Sequence, residues 1–332
     1  MTTDSEDVLI LGGGVIGLSC ALFLLKAGRS VRIIEKDRAG AATSHGNCGT
    51  ITPSHALPLA APGMIGKALK YMTQADAPFY IKPSTDLSLL DWLLRFSLRC
   101  NAMDHRRAAL IKAELLNASR RLLQSTIESH AMQCQFRASG VMYVCKSPQH
   151  LDELGAELPL LRECGVPAEV LDGDALASRE PALLPGMAGG VFFPDDAHFR
   201  PDAYCAELAR VVRELGGVIE EGCEVLSLRS QADTVVDVET SRGSRAAAQI
   251  VVALASWSPA LVKGVGLQLP VQPGKGYSIT YTLPAIVPKT PLVLTERSVC
   301  VTAWQDGYRL GSTMEFSGFD DRLNAKRLAA LE

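Results

Sequence analysis

The sequence lacks an excess of charge of either sign, because 33 Lys and Arg residues face 36 Asp and Glu residues and leave a formal net charge of -3. Without a basic surface there is no electrostatic footprint for a polyanion, so we expect no nucleic-acid partner. A CxxC pair is also missing among the nine scattered cysteines. We therefore expect reduced thiols and no metal site.

Long hydrophobic runs are absent from the start of the chain. Residues 1–7 are polar and acidic, and the apolar run from Val8 to Leu11 is too short to span a bilayer and lacks the basic flank of a signal peptide. We expect a cytoplasmic protein. The later run from Leu87 to Arg99 is apolar all round, which favours a buried helix, with peripheral contact with the inner membrane or a partner subunit as the alternative.

The chain does contain a Gly-rich turn between two apolar elements. A predicted strand from Val8 to Leu11 is followed by GGGVIG, in which Gly12, Gly14 and Gly17 form the GxGxxG pattern, and then by a predicted helix from Val15 to Ala27. Glycines in this pattern allow a tight turn, a close approach of the backbone to a pyrophosphate, and close packing of helix on strand. The pattern predicts a dinucleotide at the helix N-terminus, contacted by Val15 and Ile16 of the turn.

Glu35 ends the second predicted strand, Val31 to Glu35. A carboxylate at this position accepts hydrogen bonds from a ribose hydroxyl and repels the 2′-phosphate of NADP. The pattern by itself does not distinguish FAD from NAD, and a nicotinamide-dependent dehydrogenase stays an alternative.

Beyond the turn, helices and strands alternate, and the chain becomes rich in predicted strands after Pro270. Its 332 residues are sufficient for two domains. We expect an α/β protein with a Rossmann-like βαβ domain and a second α+β domain that contains an antiparallel sheet. Two αβ segments are expected to feed one common sheet, the second of them with strands near Val218, Val225, Val235 and Ile250.

Several stretches together resemble the FAD-dependent D-amino acid dehydrogenases of the glycine oxidase and D-amino acid oxidase superfamily. They are Val8 to Glu35, Ala42 to Ser54 (ATSHGNCGTITPS), Leu59 to Met72 (LAAPGMIGKALKYM), Gly190 to Ala206, Val251 to Leu261, Gly274 to Thr280 (GKGYSIT) and Gly311 to Asp320 (GSTMEFSGFD). The resemblance implies FAD as cofactor. It also implies an FAD-binding domain of residues 1–56 and 196–264 and a substrate domain of residues 57–195 and 265–320.

The same resemblance implies roles for individual residues. Glu35 and Lys36 would contact the adenosine ribose, and the backbone of Val225 would hold adenine. The remaining residues implied to lie beside the cofactor are Ala42, Thr43, Ser44, Ala255 and Trp257. The reaction implied is oxidation of a D-amino acid to a 2-oxo acid and ammonia, with electrons passed to a quinone or another acceptor. A D-hydroxyproline or other secondary-amine dehydrogenase is the close alternative.

Candidate substrate residues follow from this reaction, which needs positioning more than acid or base catalysis. His45 lies in the loop that resembles the stretch flanking the flavin, and His55 follows shortly after it. Tyr277 lies in GKGYS and has a hydroxyl suited to a substrate carboxylate. Arg297 and Arg309 are candidates for a carboxylate clamp.

Two features depart from the family. Ala255 stands where the family usually has glycine beside the cofactor, so its methyl group is expected to crowd FAD. Residues 321–332 predict the start of a helix, and we expect that the chain lacks a following C-terminal segment, with Leu328 and Leu331 left unburied. Weak FAD retention, or a truncated, non-catalytic FAD-binding protein, is the corresponding expectation.

Overall fold

The structure, a computed structural model, describes residues 6–72, 79–82, 84–231, 234–329 and 331, without the side chains of residues 236 and 313. The chain divides into two compact units. Unit 1 comprises Met1–Asn47, His130–Cys134 and Pro201–Val271. Unit 2 comprises Cys48–Ser129, Gln135–Arg200 and Gln272–Glu332. The assignment of cofactor and substrate binding to separate domains stays a prediction.

The regular elements alternate along the chain. The helices of the described residues are α1 (Val15–Lys26), α2 (Met64–Tyr71), α3 (Leu87–Leu98), α4 (Ala102–Ser129), α5 (Pro148–Glu163), α6 (Gly173–Arg179), α7 (Pro201–Glu214), α8 (Ser258–Lys263) and α9 (Ala325–Ala329). The strands are β1 (Val8–Leu11), β2 (Val31–Ile34), β3 (Thr50–Ile51), β4 (Phe79–Ile81), β5 (Val141–Cys145), β6 (Glu169–Asp172), β7 (Gly189–Phe193), β8 (Ala197–His198), β9 (Val218–Glu220), β10 (Val225–Gln231), β11 (Thr234–Thr240), β12 (Gly243–Arg245), β13 (Gln249–Val252), β14 (Lys275–Tyr281), β15 (Leu292–Leu294), β16 (Val299–Ala303) and β17 (Tyr308–Phe316). Single 3₁₀ turns occupy Pro53–Ala56 and Ala255–Trp257.

Unit 1 contains a parallel sheet in the order β13-β1-β2-β9. Val8 pairs with Val31 on one side and with Gln249 on the other. All four residues of β1 are buried, as expected for a central strand of a parallel sheet covered on both faces. The predicted succession of strand, Gly-rich turn, helix and strand is confirmed.

The strands β10, β11 and β12 form a separate antiparallel sheet in unit 1. The expectation that the strands at Val225 and Val235 join the common sheet was therefore wrong. Successive strands joined by short turns pair as hairpins, because entry into a parallel sheet requires a long crossover connection. One face of the hairpin sheet packs against the parallel sheet, with Val238 beside Leu9 and Ile34 in one core cluster.

Unit 2 is built on a larger mixed sheet in the order β14-β17-β16-β15-β5-β7-β6, with β4 paired to β17. Its core includes Met142, Leu176 and Val301, all at most 3% exposed. The predicted hairpin is confirmed, since the Trp304 N–H donates to the Gly307 carbonyl at 2.8 Å. The expected second α+β domain with antiparallel strands is thus present.

Helix α3 differs from its predicted environment. Leu89 is its only buried residue, whereas Leu87 and Leu98 are 79% and 68% exposed. The expectation of a buried helix was wrong, because all-round apolarity does not reveal how many neighbouring elements cover a helix. Among the described residues, no helix combines the length and apolarity needed to cross a membrane.

The end of the chain also departs from expectation. The last helix begins at Ala325 rather than at Asp321. Leu331 is only 5% exposed and Leu328 packs against the same core cluster of unit 2, so the expectation that both leucines are left unburied was wrong.

Candidate functional site

The turn between β1 and α1 depends on two glycines. Gly12 has φ +105°, and a Cβ there would lie 2.6 Å from the Ala253 carbonyl oxygen. A Cβ on Gly17 would lie 1.9 Å from the Gly12 carbonyl oxygen. Real Cβ atoms do not approach backbone oxygens so closely, so the close packing of α1 on β1 requires glycine at both positions.

The loop after β2 lies against the start of α1. The Val15 N–H donates to Ser44 Oγ at 2.9 Å, and the Gly40 N–H donates to the Gly13 carbonyl at 2.9 Å. Gly14 is the N-cap of α1 and has no side chain to satisfy the first-turn amides. The predicted cofactor residues Gly14, Val15 and Ser44 are therefore neighbours, and Ile16 beside them is 64% exposed.

Glu35 lies close to the same turn. Its Oε2 accepts from the Gly13 N–H at 2.7 Å, and its Oε1 accepts from the Asp37 N–H at 3.0 Å. A carboxylate has about four acceptor positions, so these two bonds leave capacity for a ribose hydroxyl. The end of β2 is thereby held beside the Gly-rich turn.

Lys36 and Trp257 are brought together in unit 1, with Lys36 Nζ 5.5 Å from the centre of the indole ring. Trp257 belongs to the 3₁₀ turn that begins with Ala255. Ala255 has φ +48°, the left-handed region that favours glycine. Val225, at the start of β10, packs on the core cluster of the parallel sheet.

The turn that contains Ala42, Thr43, Ser44 and His45 is closed by the His45 N–H, which donates to the Ala42 carbonyl at 2.9 Å. The side chains of Ala42, Thr43 and His45 are exposed. The small residues of this loop place its backbone next to α1, and His45 follows at its exposed end.

His55 lies in unit 2, on the 3₁₀ turn Pro53–Ala56. Its imidazole has an exposed face, and its ring meets the Tyr143 ring edge-on with centroids 6.1 Å apart. Close surrounding protein desolvates the imidazolium and, with the positive charge of Lys112, lowers the pKa of His55 to about 4. His55 is therefore neutral at neutral pH.

Asp196 holds the turn that carries His55, and sequence reasoning missed this role because Asp196 reads as an ordinary turn residue. It is 1% exposed, and its carboxylate accepts from the Ser54 N–H at 3.1 Å and from the Ser54 hydroxyl at 2.5 Å. Burial raises the pKa of Asp196 to about 7, against the opposing effect of the Ser54 hydrogen bonds. Burial also raises the pKa of the phenol of Tyr143, whose ring lies beside His55.

Tyr277 is engaged in a polar cluster of unit 2. Its hydroxyl donates to Glu315 Oε2 at 2.9 Å, and Glu315 also forms ion pairs with Lys275 and Arg327. Because Arg327 belongs to α9, the cluster connects that helix to β14 and β17. Burial raises the pKa of Glu315, but interactions with Ser317, Tyr277 and Lys275 outweigh it and keep the pKa below its usual value.

The two clamp candidates differ in environment. Arg309 is 6% exposed, and its Nε donates to Thr280 Oγ1 at 2.9 Å while its guanidinium lies over the Trp304 ring. Arg297 is exposed, and its carbonyl accepts from the Ser312 hydroxyl. Their role in carboxylate binding stays a prediction.

The chain is similar to proteins of known activity. A D-amino acid dehydrogenase of Vibrio cholerae serotype O1 is 32% identical over 334 residues, which cover 98% of this chain and 79% of that protein. Among solved structures, glycine oxidase from Geobacillus kaustophilus matches with a TM-score of 0.70 at 24% identity, covering 98% of this chain and 76% of the other. L-proline dehydrogenase from P. horikoshii matches with a TM-score of 0.69 at 16% identity, covering 98% and 75% of the two chains.

These two structural similarities show the fold, and the family is shown by the sequence itself. The sequence model of the family described as "FAD dependent oxidoreductase" (DAO) matches residues 7–332. Together with the Gly-rich turn, Glu35 and the parallel sheet, this match means that the chain belongs to the DAO family of FAD-dependent oxidoreductases, with FAD as its cofactor.

Proposed function

We propose that this chain oxidises a D-amino acid to the 2-oxo acid and ammonia, with electrons passed to a quinone-type acceptor. The observation that carries the proposal is the 32% identity to a D-amino acid dehydrogenase across 98% of the chain.

The residues of unit 1 fit the diphosphate end of FAD. A Cβ on Gly14 would lie 3.2 Å from Ser44 Oγ, so any side chain at this position would crowd that hydroxyl at the start of α1. The amides of the first turn and the positive end of the helix dipole favour a phosphate there. The residues proposed to hold FAD are Gly12, Gly14, Val15, Ile16, Gly17, Glu35, Lys36, Ala42, Thr43, Ser44, Val225, Ala255 and Trp257.

When bound, FAD supplies the acceptor for the hydride that leaves the substrate Cα. The amine must be unprotonated for this step. Loss of the hydride leaves a protonated imine, which gives its proton to water, and water then converts the imino acid to the 2-oxo acid and ammonia. A neutral imidazole at His55 is suited to accept a hydrogen bond from the amine. Because its pKa is about 4, His55 orients the amine rather than storing its proton.

His45 and Tyr277 are the other proposed substrate contacts. The exposed side chain of His45 follows the loop proposed to lie along the diphosphate and flavin. The Tyr277 hydroxyl donates to Glu315, so its proton is not available to the substrate carboxylate for which it was predicted. Its oxygen retains the capacity to accept a hydrogen bond from the substrate amine.

Anaerobic mixing of the FAD-loaded protein with matched D- and L-amino acids tests the proposal. We expect D-amino acids to bleach the visible absorbance of the oxidised flavin. Addition of a soluble quinone is expected to restore that absorbance. Equal bleaching by the L-enantiomers, or no bleaching by any amino or imino acid, would overturn the proposal. D-proline in the panel tests the secondary-amine alternative.

The contribution of His55 is tested with His55→Gln. We expect kcat/KM for the best D-amino acid to fall by about tenfold to a hundredfold, the range of one lost orienting contact. His150→Gln is the matched control, because His150 lies on α5 and interacts with Ser147 and Glu296. Equal activity of both variants would remove His55 from the substrate site.

A further inference from the structure

An apolar cavity of about 440 Å³ lies within unit 2 between α2, β4 and α3. A volume of this size falls within the range of about 300–1,000 Å³ that is typical of small-molecule sites. Residues that line it from these elements include Met64, Ala68, Phe79, Leu89, Leu93 and Phe96.

The polar side chains that line the cavity are already engaged elsewhere. Lys82 Nζ donates to Asp320 Oδ2 at 3.4 Å, and the Ser97 hydroxyl donates to the Leu94 carbonyl at 2.8 Å. Ser84 Oγ accepts from the Asp86 N–H at 3.1 Å. A sugar, a nucleotide or a free amino acid would find few replacement hydrogen bonds here for its lost hydration, so the lining favours an apolar ligand.

Aromatic rings form a rigid wall of the cavity. Trp92 stacks on Phe96 with ring centroids 5.3 Å apart, and it lies 5.2 Å from the Phe316 ring of β17. Phe79 of β4 packs on the same Phe316 ring at 5.6 Å. Since Phe316 is itself 6% exposed, the wall is anchored on the core of unit 2 and the cavity is formed before any ligand arrives.

The outer side of the cavity is apolar but open to water. Ile65 and Leu69 of α2 and Met72, the C-cap residue that follows it, line the cavity and are 47%, 62% and 41% exposed. Burial of apolar surface is favourable by about 25 cal/mol per Å². An apolar ligand that covers these side chains therefore gains affinity from their burial. Helix α2 also carries Lys67 and Lys70 and no acidic residue, and Lys67 lies 3.9 Å from Glu153 of α5. The exposed end of the cavity therefore suits a polar head.

We propose that this cavity binds one linear apolar chain of a long-chain amphiphile, with the head of the molecule outside near α2. Two sources share this chemistry, namely the hydrocarbon chain of a fatty acid and the isoprenoid or alkyl tail of a quinone. For a fatty acid the site lies beyond the proposed reaction, whereas for a quinone tail it would hold the proposed electron acceptor, and that source rests on the proposed function. Chain binding itself does not depend on turnover.

The indole of Trp92 lines the cavity, so tryptophan fluorescence, to which Trp257 and Trp304 also contribute, responds to a ligand bound there. In the FAD-loaded 332-residue chain, titration with palmitate or decylubiquinone is expected to change the tryptophan emission with saturation. A ubiquinone without a tail is expected to produce no saturable change. Saturation with both tailed probes assigns the site to apolar chains in general, and saturation with one of them identifies its source.

Ala68→Phe places a ring in the cavity from α2 and is expected to weaken binding of the tailed probe at least tenfold. Leu94→Phe is the matched control, because Leu94 is 60% exposed on α3 and does not belong to the cavity lining. Both variants should keep the FAD content and the melting temperature of the unaltered protein, which shows that they fold.

Several results would overturn the proposal. One is the absence of saturable binding of either tailed probe, and another is equal weakening by the two variants. Binding to phosphatidylglycerol vesicles that is weakened by Leu94→Ser but unaffected by Ala68→Phe would show a membrane-contact surface instead. Failure of D-amino acid oxidation would leave the binding result unchanged, so the two proposals fail separately.

Discussion

Ser54 donates both its backbone N–H and its hydroxyl to the carboxylate of Asp196, at 3.1 Å and 2.5 Å. The pair fixes the turn that carries His55 to the end of β7. Because the carboxylate is 1% exposed, its charge is balanced mainly by these donors and by the more distant Arg120. The short turn that carries the proposed substrate contact thus depends on a buried acid.

Asp196 predicts a stability that decreases as pH rises. Its pKa is raised to about 7 in the folded protein, against about 3.9 in an unfolded chain, so ionisation costs folding free energy between these values. The neutral variant Asp196→Asn should lose this dependence. Denaturant unfolding is measured at about pH 5 and about pH 8. Between these two pH values the free energy of unfolding is expected to fall by roughly 2–4 kcal/mol for the unaltered protein and by less for the variant. Equal pH dependence would contradict the assignment.

Gly17→Ala tests the packing of α1 on β1. The added Cβ would meet the Gly12 carbonyl oxygen at 1.9 Å, so the helix must move and the free energy of unfolding should fall by about 3 kcal/mol. FAD content after purification should fall with it. Gly155→Ala in α5 is the matched control, since a Cβ there meets no atom within 4 Å, and it should stabilise by about 0.5–1 kcal/mol. Similar FAD content in both variants would contradict the prediction.

Ala255→Gly removes a methyl group from a left-handed residue. An L-residue in this region costs about 1–2 kcal/mol, which glycine would recover. Part of this gain is offset by the greater entropy of glycine in the unfolded chain. The net free energy of unfolding should therefore rise by about 0.5–1 kcal/mol. FAD retention should be equal or better. Ala118→Gly within α4 is the control and should lower stability by about 1 kcal/mol. Destabilisation by both substitutions would show that Ala255 is unstrained.

Tyr277→Phe removes the hydroxyl that donates to Glu315. Loss of a hydrogen bond to a buried carboxylate should lower the free energy of unfolding by about 1–2 kcal/mol, measured by denaturant titration. Tyr308→Phe, in the neighbouring strand β17, is the control and should change stability by less than about 0.5 kcal/mol. KM for the D-amino acid distinguishes a substrate contact from a purely structural role. Loss of a substrate contact raises KM, whereas loss of the bond to Glu315 alone does not.

Much of unit 1 was predictable because its signals are local. An apolar run, three glycines at fixed spacing and a second apolar run specify β1, α1 and β2, with ends within one or two residues of those observed. The hairpin at Trp304–Gly307 was predictable for the same reason. Each of these features depends on neighbours a few residues apart.

The sequence by itself thus determined the Gly-rich turn, Glu35 beside it and the family resemblance, because tight turns and strand periodicity are short-range properties. Only the tertiary structure decided which side chains far apart in sequence meet, such as Ser54 with Asp196 and Tyr277 with Glu315. It also decided that Leu87, Leu90, Leu94 and Leu98 of α3 lie exposed and that Leu331 is buried. Burial depends on what other elements cover a residue, and that information is distributed over the whole chain.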